Sequence, residues 1–284
     1  MIAVTGASGK LGRLVIEGLL EKIAPEKIVA VVRNPEKVKD FAARGVQVRH
    51  GDYSSPETLP PALAGVERLL LISSSEVGRR AAQHGAVVDA AKGANVKLIA
   101  YTSILRADTS ALLLAGEHKA TEKMIRATGL PFAFLRNGWY IENYTENLAP
   151  VLTHGALPGA SGDGRVAAAT RADFAAAAVA VLTGENHENK IYELAGDQGF
   201  SMSEFVAAVS AWAGKPIVYQ ELPPEVYKQM LVGAGLPEPF AAILVDASAG
   251  VAKGELDSDR RDLHDLLGRD TQTLADVLAA LPKP

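Results

Sequence analysis

Short apolar runs alternate with stretches of helical period through the first half of the chain. The strand-like runs are Ile2–Thr5, Ile28–Arg33, Val46–His50, Leu69–Ser73, Leu98–Ser103 and Phe132–Arg136. Between them, Leu11–Glu21, Pro35–Ala43, Val77–Gly93 and His118–Thr128 carry apolar residues at helical spacing. Strands that alternate with helices predict βαβ units and a parallel sheet. The runs are apolar almost throughout, as a strand needs to be when helices cover both faces of its sheet. The pattern therefore predicts an α/β fold with a doubly wound parallel sheet.

After residue 150 the alternation loosens. The stretch GALPGASGDGR (155–165) predicts a glycine-rich loop. ADFAAAAVAVL (172–182) predicts an alanine-rich helix that can approach a sheet closely, and KIYELAG (190–196) a strand that returns to the sheet. From Ser201 to Pro284 the pattern is mostly helical, with one short strand near Pro216–Tyr219. The expected organisation is an α/β domain over 1–150, rejoined by 166–196, with 151–165 and 197–284 forming a smaller, mostly helical C-terminal lobe.

Composition narrows the function. The net charge is −4 and no basic block stands out, so nucleic acid is not an expected partner. The sequence contains no cysteine, which excludes disulfides, thiolate nucleophiles and cysteine-ligated metals and fits a reducing, cytoplasmic setting. No secretory signal and no membrane span is expected. The histidines at 50, 84, 118, 154, 187 and 264 show no metal-ligand spacing, so no metal site is predicted.

Candidate chemistry begins at TGASGKLG (5–12), which lies between a strand and a helix. Gly6 permits a tight turn, Gly9 lets a pyrophosphate approach the backbone, and Gly12 lets the helix pack on the strand. The helix N-terminus offers free N–H groups to phosphates. This is the dinucleotide-binding turn of a Rossmann-type sheet. At the end of the second strand, where an NAD site carries a carboxylate for the ribose 2′-hydroxyl, this chain has Arg33, with Lys37 behind it. A guanidinium grips a 2′-phosphate that a carboxylate repels, so NADPH is the expected cofactor. The next strand ends place Asp52 toward the adenine and Ser73, Ser74 and Ser75 beside the ribose and pyrophosphate.

TGASGKLG, VRNPEK, LLISSSEVG, YTS, EHKATEKM, LRNGWYIENY and ATRADFAAAA occur together and in order. In this the chain resembles the NmrA-like group of atypical short-chain dehydrogenases, and within it the bacterial NADPH-dependent quinone reductases. The resemblance implies an enzyme that passes hydride from NADPH to a small-molecule quinone without a flavin, and a possible homodimer. It also implies that Gly6, Ala7, Ser8, Gly9, Lys10 and Leu11 hold the pyrophosphate and Arg33 the 2′-phosphate. Asn137, Gly138, Trp139, Tyr140, Ile141 and Glu142 would then lie along the nicotinamide, with Arg171 nearby.

Short-chain dehydrogenases mostly use Tyr-x-x-x-Lys after the fifth strand, with a serine at that strand's end. Ser103 is present, but His118 and Glu122 stand in the tyrosine and lysine places. Tyr101 is too early for that role and is expected in the core. His118, flanked by Glu117, Lys119 and Glu122, is expected on the surface, with relay of a proton as the alternative role. Losing the proton donor harms ketone reduction, which makes a strongly basic alkoxide. It matters far less for a quinone, whose reduced anion is aromatic and can be protonated by water. In this reading Asn137 or Tyr140 steadies the developing oxyanion, and Asn143 with Tyr140 contacts the quinone stacked on the nicotinamide. Two other readings stay open: a non-catalytic NADP(H)-binding redox sensor, which shares the missing tyrosine and lysine, and a reductase of another electron-poor ring or double bond.

Overall fold

The computed structural model describes residues Met1 to Pro284. The strands are β1 (Ile2–Thr5), β2 (Ile28–Val32), β3 (Gln47–His50), β4 (Arg68–Leu71), β5 (Leu98–Ile104), β6 (Phe132–Asn137), β7 (Ala156–Gly159), β8 (Arg165–Val166), β9 (Lys190–Leu194), β10 (Phe200–Ser201) and β11 (Val218–Glu221). The helices of the first two-thirds are α1 (Lys10–Leu20), α2 (Lys39–Ala43), α3 (Leu59–Ala62), α4 (Arg80–Gly93), α5 (Ala115–Ala127), α6 (Glu142–Thr145), α7 (Leu148–His154) and α8 (Arg171–Thr183). They are followed by α9 (Met202–Ala213), α10 (Pro224–Gly233), α11 (Glu238–Ala252), α12 (Asp262–Leu267) and α13 (Leu274–Ala280).

The doubly wound sheet is present, with seven strands in the order β3-β2-β1-β4-β5-β6-β9 and all neighbours parallel. Alternation along each strand sends side chains to opposite faces. Val4, Ala30, Leu70, Ala100 and Leu135 pack with α1 and α8 on one face. Ala3, Val31, Leu71, Tyr101 and Phe134 pack with α3, α4 and α5 on the other. Thus α1, which leaves β1, and α4, which follows β4, lie on opposite faces although β1 and β4 are neighbours. That reversal opens a crevice at the carboxyl ends of these two strands, where sheets of this type bind ligands.

A third apolar cluster lies off the sheet, with Phe200, Met202, Phe205, Val209, Val251 and Leu278 among its buried members. One expectation is corrected there. Residues 156–159, expected within a loop, form β7, which pairs in parallel with β11 from Ala156–Val218 to Gly159–Glu221. The short strand expected at 216–219 lies at 218–221 for the same reason. Glycine and proline in this segment disfavour a strand locally, and pairing with a distant segment overrides that preference.

Candidate cofactor and substrate site

The glycine turn packs as tightly as its spacing suggests. Gly6 has φ +61°, a left-handed conformation that glycine adopts without strain. A Cβ on Gly12 would press on the Gly6 carbonyl and lie 2.8 Å from Ala7 Cα. The first intrahelical bond of α1 runs from Arg13 N–H to the Gly9 carbonyl at 2.9 Å. The N–H groups of Lys10, Leu11 and Gly12 therefore have no partner within the helix. No side chain caps this terminus, and its first turn contains no acidic residue. An uncapped helix end with a partial positive charge, beside a backbone that leaves no room for a Cβ, fits a pyrophosphate.

A cavity of about 260 Å³ opens at this turn, and Gly6, Ser8, Gly9, Arg33, Asp52, Ser73, Ser74 and Ser75 line it. The remaining expected residues are placed differently. Ala7 is fully buried, with its N–H donating to the Val31 carbonyl at 3.4 Å, and the Leu11 side chain packs into the core beneath the turn. Lys10 and Arg171 both reach Glu146, each at 2.6 Å. Asp52 also accepts a bond from Ser54 N–H at 2.9 Å, which closes the turn after β3. Sequence reasoning missed Tyr53, Glu76 and Gln83, which share the cavity. Glu76 lies inside the quoted LLISSSEVG stretch, but nothing local to it signals that its side chain turns inward.

The segment Asn137–Glu142 does not line this cavity and runs from the carboxyl end of β6 toward the third cluster. Gly138 N–H donates to the Leu194 carbonyl at 2.8 Å, and Ile141 N–H to that of Ala169 at 3.0 Å. Glu142 Oε1 accepts from Arg171 N–H at 2.9 Å and so holds the start of α8. The Arg171 guanidinium lies 5.1 Å from the centre of the Tyr140 ring, whose edge meets Phe174. Burial raises the Tyr140 hydroxyl's pKa, partly offset by Asn137 and Arg171. Asn137 is buried, and its Oδ1 has no hydrogen-bond partner. A ligand with an N–H donor would satisfy that orphaned acceptor. Trp139 and Tyr144 pack against the third cluster, while Asn143 is exposed.

The places of the missing tyrosine and lysine are both buried. His118, expected on the surface, is only 5% exposed. Its Nδ1 lies 2.8 Å from the Tyr101 hydroxyl, and its Nε2 3.4 Å from Arg80 Nη1. Tyr101 is in the core as expected. Glu122 accepts two bonds from Arg136, at 2.9 and 2.8 Å, and a third from Ser103 Oγ at 2.7 Å. Ser103 is thus turned to a structural carboxylate. His84 joins the same layer: its Nε2 accepts from Ser74 N–H, and its Nδ1 meets the Thr121 hydroxyl, both at 2.9 Å. Elsewhere Asp197, His264 and Asp270 approach one another, but Asp197 Oδ2 already accepts from Thr271 N–H at 2.8 Å.

Burial, then the nearby Arg80 charge, lowers the His84 pKa to about 4 and that of His118 to about 3. Both histidines are therefore neutral in the folded protein and titrate near 6.5 when unfolded. Their contribution to stability is complete above pH 6.5 and is lost as pH falls toward the folded values. The loss expected by pH 5 is about 2 kcal/mol per histidine. Urea unfolding at pH 7 and pH 5 measures it, and His84→Gln is expected to flatten the dependence.

A family model described as the NmrA-like family matches residues 1–260. Quinone oxidoreductase 2 of Escherichia coli is 49% identical over 281 residues, covering 99% of this chain and 98% of that protein. The crystal structure of an NADPH-dependent quinone oxidoreductase from Escherichia coli with NADPH superposes with a TM-score of 0.96. It shares 49% identity and covers 98% of this chain and 99% of its own. Citrobacter sp. triphenylmethane reductase with NADP(H) superposes at a TM-score of 0.94 and 44% identity, covering 99% of this chain and 100% of its own. With the glycine turn, the crevice and the family model all agreeing, this chain belongs to the NmrA-like family.

Proposed function

We propose that this protein is an NADPH-dependent quinone oxidoreductase that works without a flavin. One observation carries the reading: a single cavity joins an uncapped α1 N-terminus to the Arg33 guanidinium. The first suits a pyrophosphate and the second a 2′-phosphate. The likeness to quinone oxidoreductase 2 supports the acceptor.

When bound, NADPH supplies the hydride. The chain's residues bind and orient. Gly6 to Gly12 would hold the pyrophosphate, Arg33 the 2′-phosphate, and Ser73 to Ser75 the ribose. Asn137, whose Oδ1 lacks a partner at the end of β6, would hold the nicotinamide end. Tyr140, held between Arg171 and Phe174, would place its hydroxyl toward the oxygen that gains charge. The structure offers no titratable acid in the usual position, because His118 and Glu122 are buried and engaged. A hydroquinone anion needs none, since water can protonate it. The 44% likeness to a triphenylmethane reductase supports a second reading, in which other electron-poor conjugated acceptors share the site.

No helix is long and apolar enough to cross a membrane. Cytoplasmic residence and pairing as a homodimer go with the proposal, and light scattering on the purified protein measures the second.

The test is consumption of NADPH by purified protein given a small benzoquinone and no added flavin. Turnover supports the enzyme, whereas tight NADPH binding without turnover across quinones favours the sensor. Arg33→Asp is expected to raise the KM for NADPH roughly 100-fold, through loss of charge-assisted bonds, and to change that for NADH much less. An unchanged preference would remove Arg33 from the phosphate site.

A further inference from the structure

The cavity contains a carboxylate where a phosphate is expected. Glu76 Oε1 lies 3.3 Å from Arg33 Nη1. Its Oε2 accepts from Arg79 Nη1 at 3.2 Å and from Gln83 Nε2 at 3.0 Å. The backbone holds this aim: Glu76 N–H donates to Ser74 Oγ at 3.1 Å. Just beyond, the Glu117 carboxylate accepts from the N–H groups of Gly78 and Arg80, each at 3.1 Å, and fixes the end of the loop. Glu76 is thus directed into the cavity beside Arg33, and both residues line it.

A guanidinium and a carboxylate side by side are the two halves of the distinction between nicotinamide cofactors. The cation takes a 2′-phosphate, and the carboxylate accepts a bond from the 2′-hydroxyl of an unphosphorylated ribose. We propose that Glu76 moderates the cofactor selectivity of this site: it opposes the 2′-phosphate of NADPH at Arg33 and accepts the 2′-hydroxyl of NADH. The inference rests on the NADPH reading above. When NADPH binds, Arg33 exchanges Glu76 for the phosphate, and two like charges are left close together. NADH requires no such exchange. Glu76 therefore moderates the preference that Arg33 creates, and the site retains a use for both cofactors.

The test is equilibrium titration of the purified protein with NADPH and with NADH, with no acceptor present. Glu76→Gln removes the charge and keeps the shape. It is expected to tighten NADPH roughly 3- to 10-fold and to weaken NADH by a similar factor. Glu76→Ala is expected to move both constants in the same directions, which separates the loss of charge from any new amide bond. Weaker NADPH binding in both variants would make Glu76 a mere support for Arg33 and overturn the proposal, as would two unmoved constants. Wild-type protein that binds neither dinucleotide would instead overturn the cofactor reading itself, and the proposal with it.

Discussion

Arg136→Met is expected to destabilise the protein by about 3–5 kcal/mol, because it strands a buried carboxylate. The Arg136 side chain is 4% exposed and that of Glu122 6%. Besides its two bonds to Glu122, Arg136 reaches Glu193 at 2.7 Å and Asp108 at 2.9 Å. Burial opposes the guanidinium's charge, and the bonds it donates to Glu122 and Glu193 more than offset this, so its pKa is raised. Removing the arginine leaves Glu122 with only the Ser103 hydroxyl. Adding Glu122→Leu is expected to restore most of the loss, since an apolar pair of similar volume can replace a buried ion pair without penalty. Urea unfolding of both single variants and the double variant gives the coupling. A single variant as stable as wild type would mean that the network contributes nothing. The network also closes the carboxyl ends of β5, β6 and β9, immediately before Asn137. Weaker cofactor binding is therefore expected to accompany the lost stability.

Gly12→Val is expected to abolish most dinucleotide binding while leaving much of the sheet intact. Its Cβ presses on the Gly6 carbonyl and on Ala7 Cα, both backbone positions that cannot rotate away. The α1 N-terminus must then shift from the turn, and its free N–H groups with it. Losing two bonds to a charged phosphate, at about 1.5–3 kcal/mol each, weakens binding roughly 100-fold or more. Gly12→Ala meets the same two atoms with a smaller group and is expected to show a milder form of the same defect. Titration with NADPH, beside a circular dichroism spectrum to verify folding, measures it. Wild-type affinity in Gly12→Val would mean that the turn does not hold the pyrophosphate.

The sheet was legible because its strands are buried on both faces, so their apolar runs stand out without any partner information. The glycine turn and Arg33 were legible for a related reason: each is a local signal at a fixed distance from a strand. β7 was not, because its residues favour a turn and only pairing with Val218–Glu221 makes them a strand. His118 misleads in the sequence because Glu117, Lys119 and Glu122 surround it and suggest a solvated face. Its partners Tyr101 and Arg80 come from β5 and α4, and Glu122 is itself buried by Arg136 from β6. Glu76 was overlooked because an acidic residue in a loop after β4 looks like ordinary surface until Arg33 is placed beside it. The missed parts of the site are therefore polar pairs whose members are far apart in the chain.

These buried pairs also account for the departure from Tyr-x-x-x-Lys. Glu122 in the lysine place is an ion-pair partner of Arg136, and His118 in the tyrosine place is a neutral member of a buried layer. Neither place can supply a proton to a ketone, so the site suits an acceptor whose reduced anion is already stable.

Single-turnover mixing of the NADPH-loaded protein with a benzoquinone tests this most directly, with the transferred hydrogen of NADPH as either protium or deuterium. The expected result is that the reduced-nicotinamide absorbance disappears without added flavin, and more slowly for deuterium. NADPH that stays bound and unoxidised in the presence of quinone would contradict it and make the protein a binder of the dinucleotide rather than an enzyme that uses it.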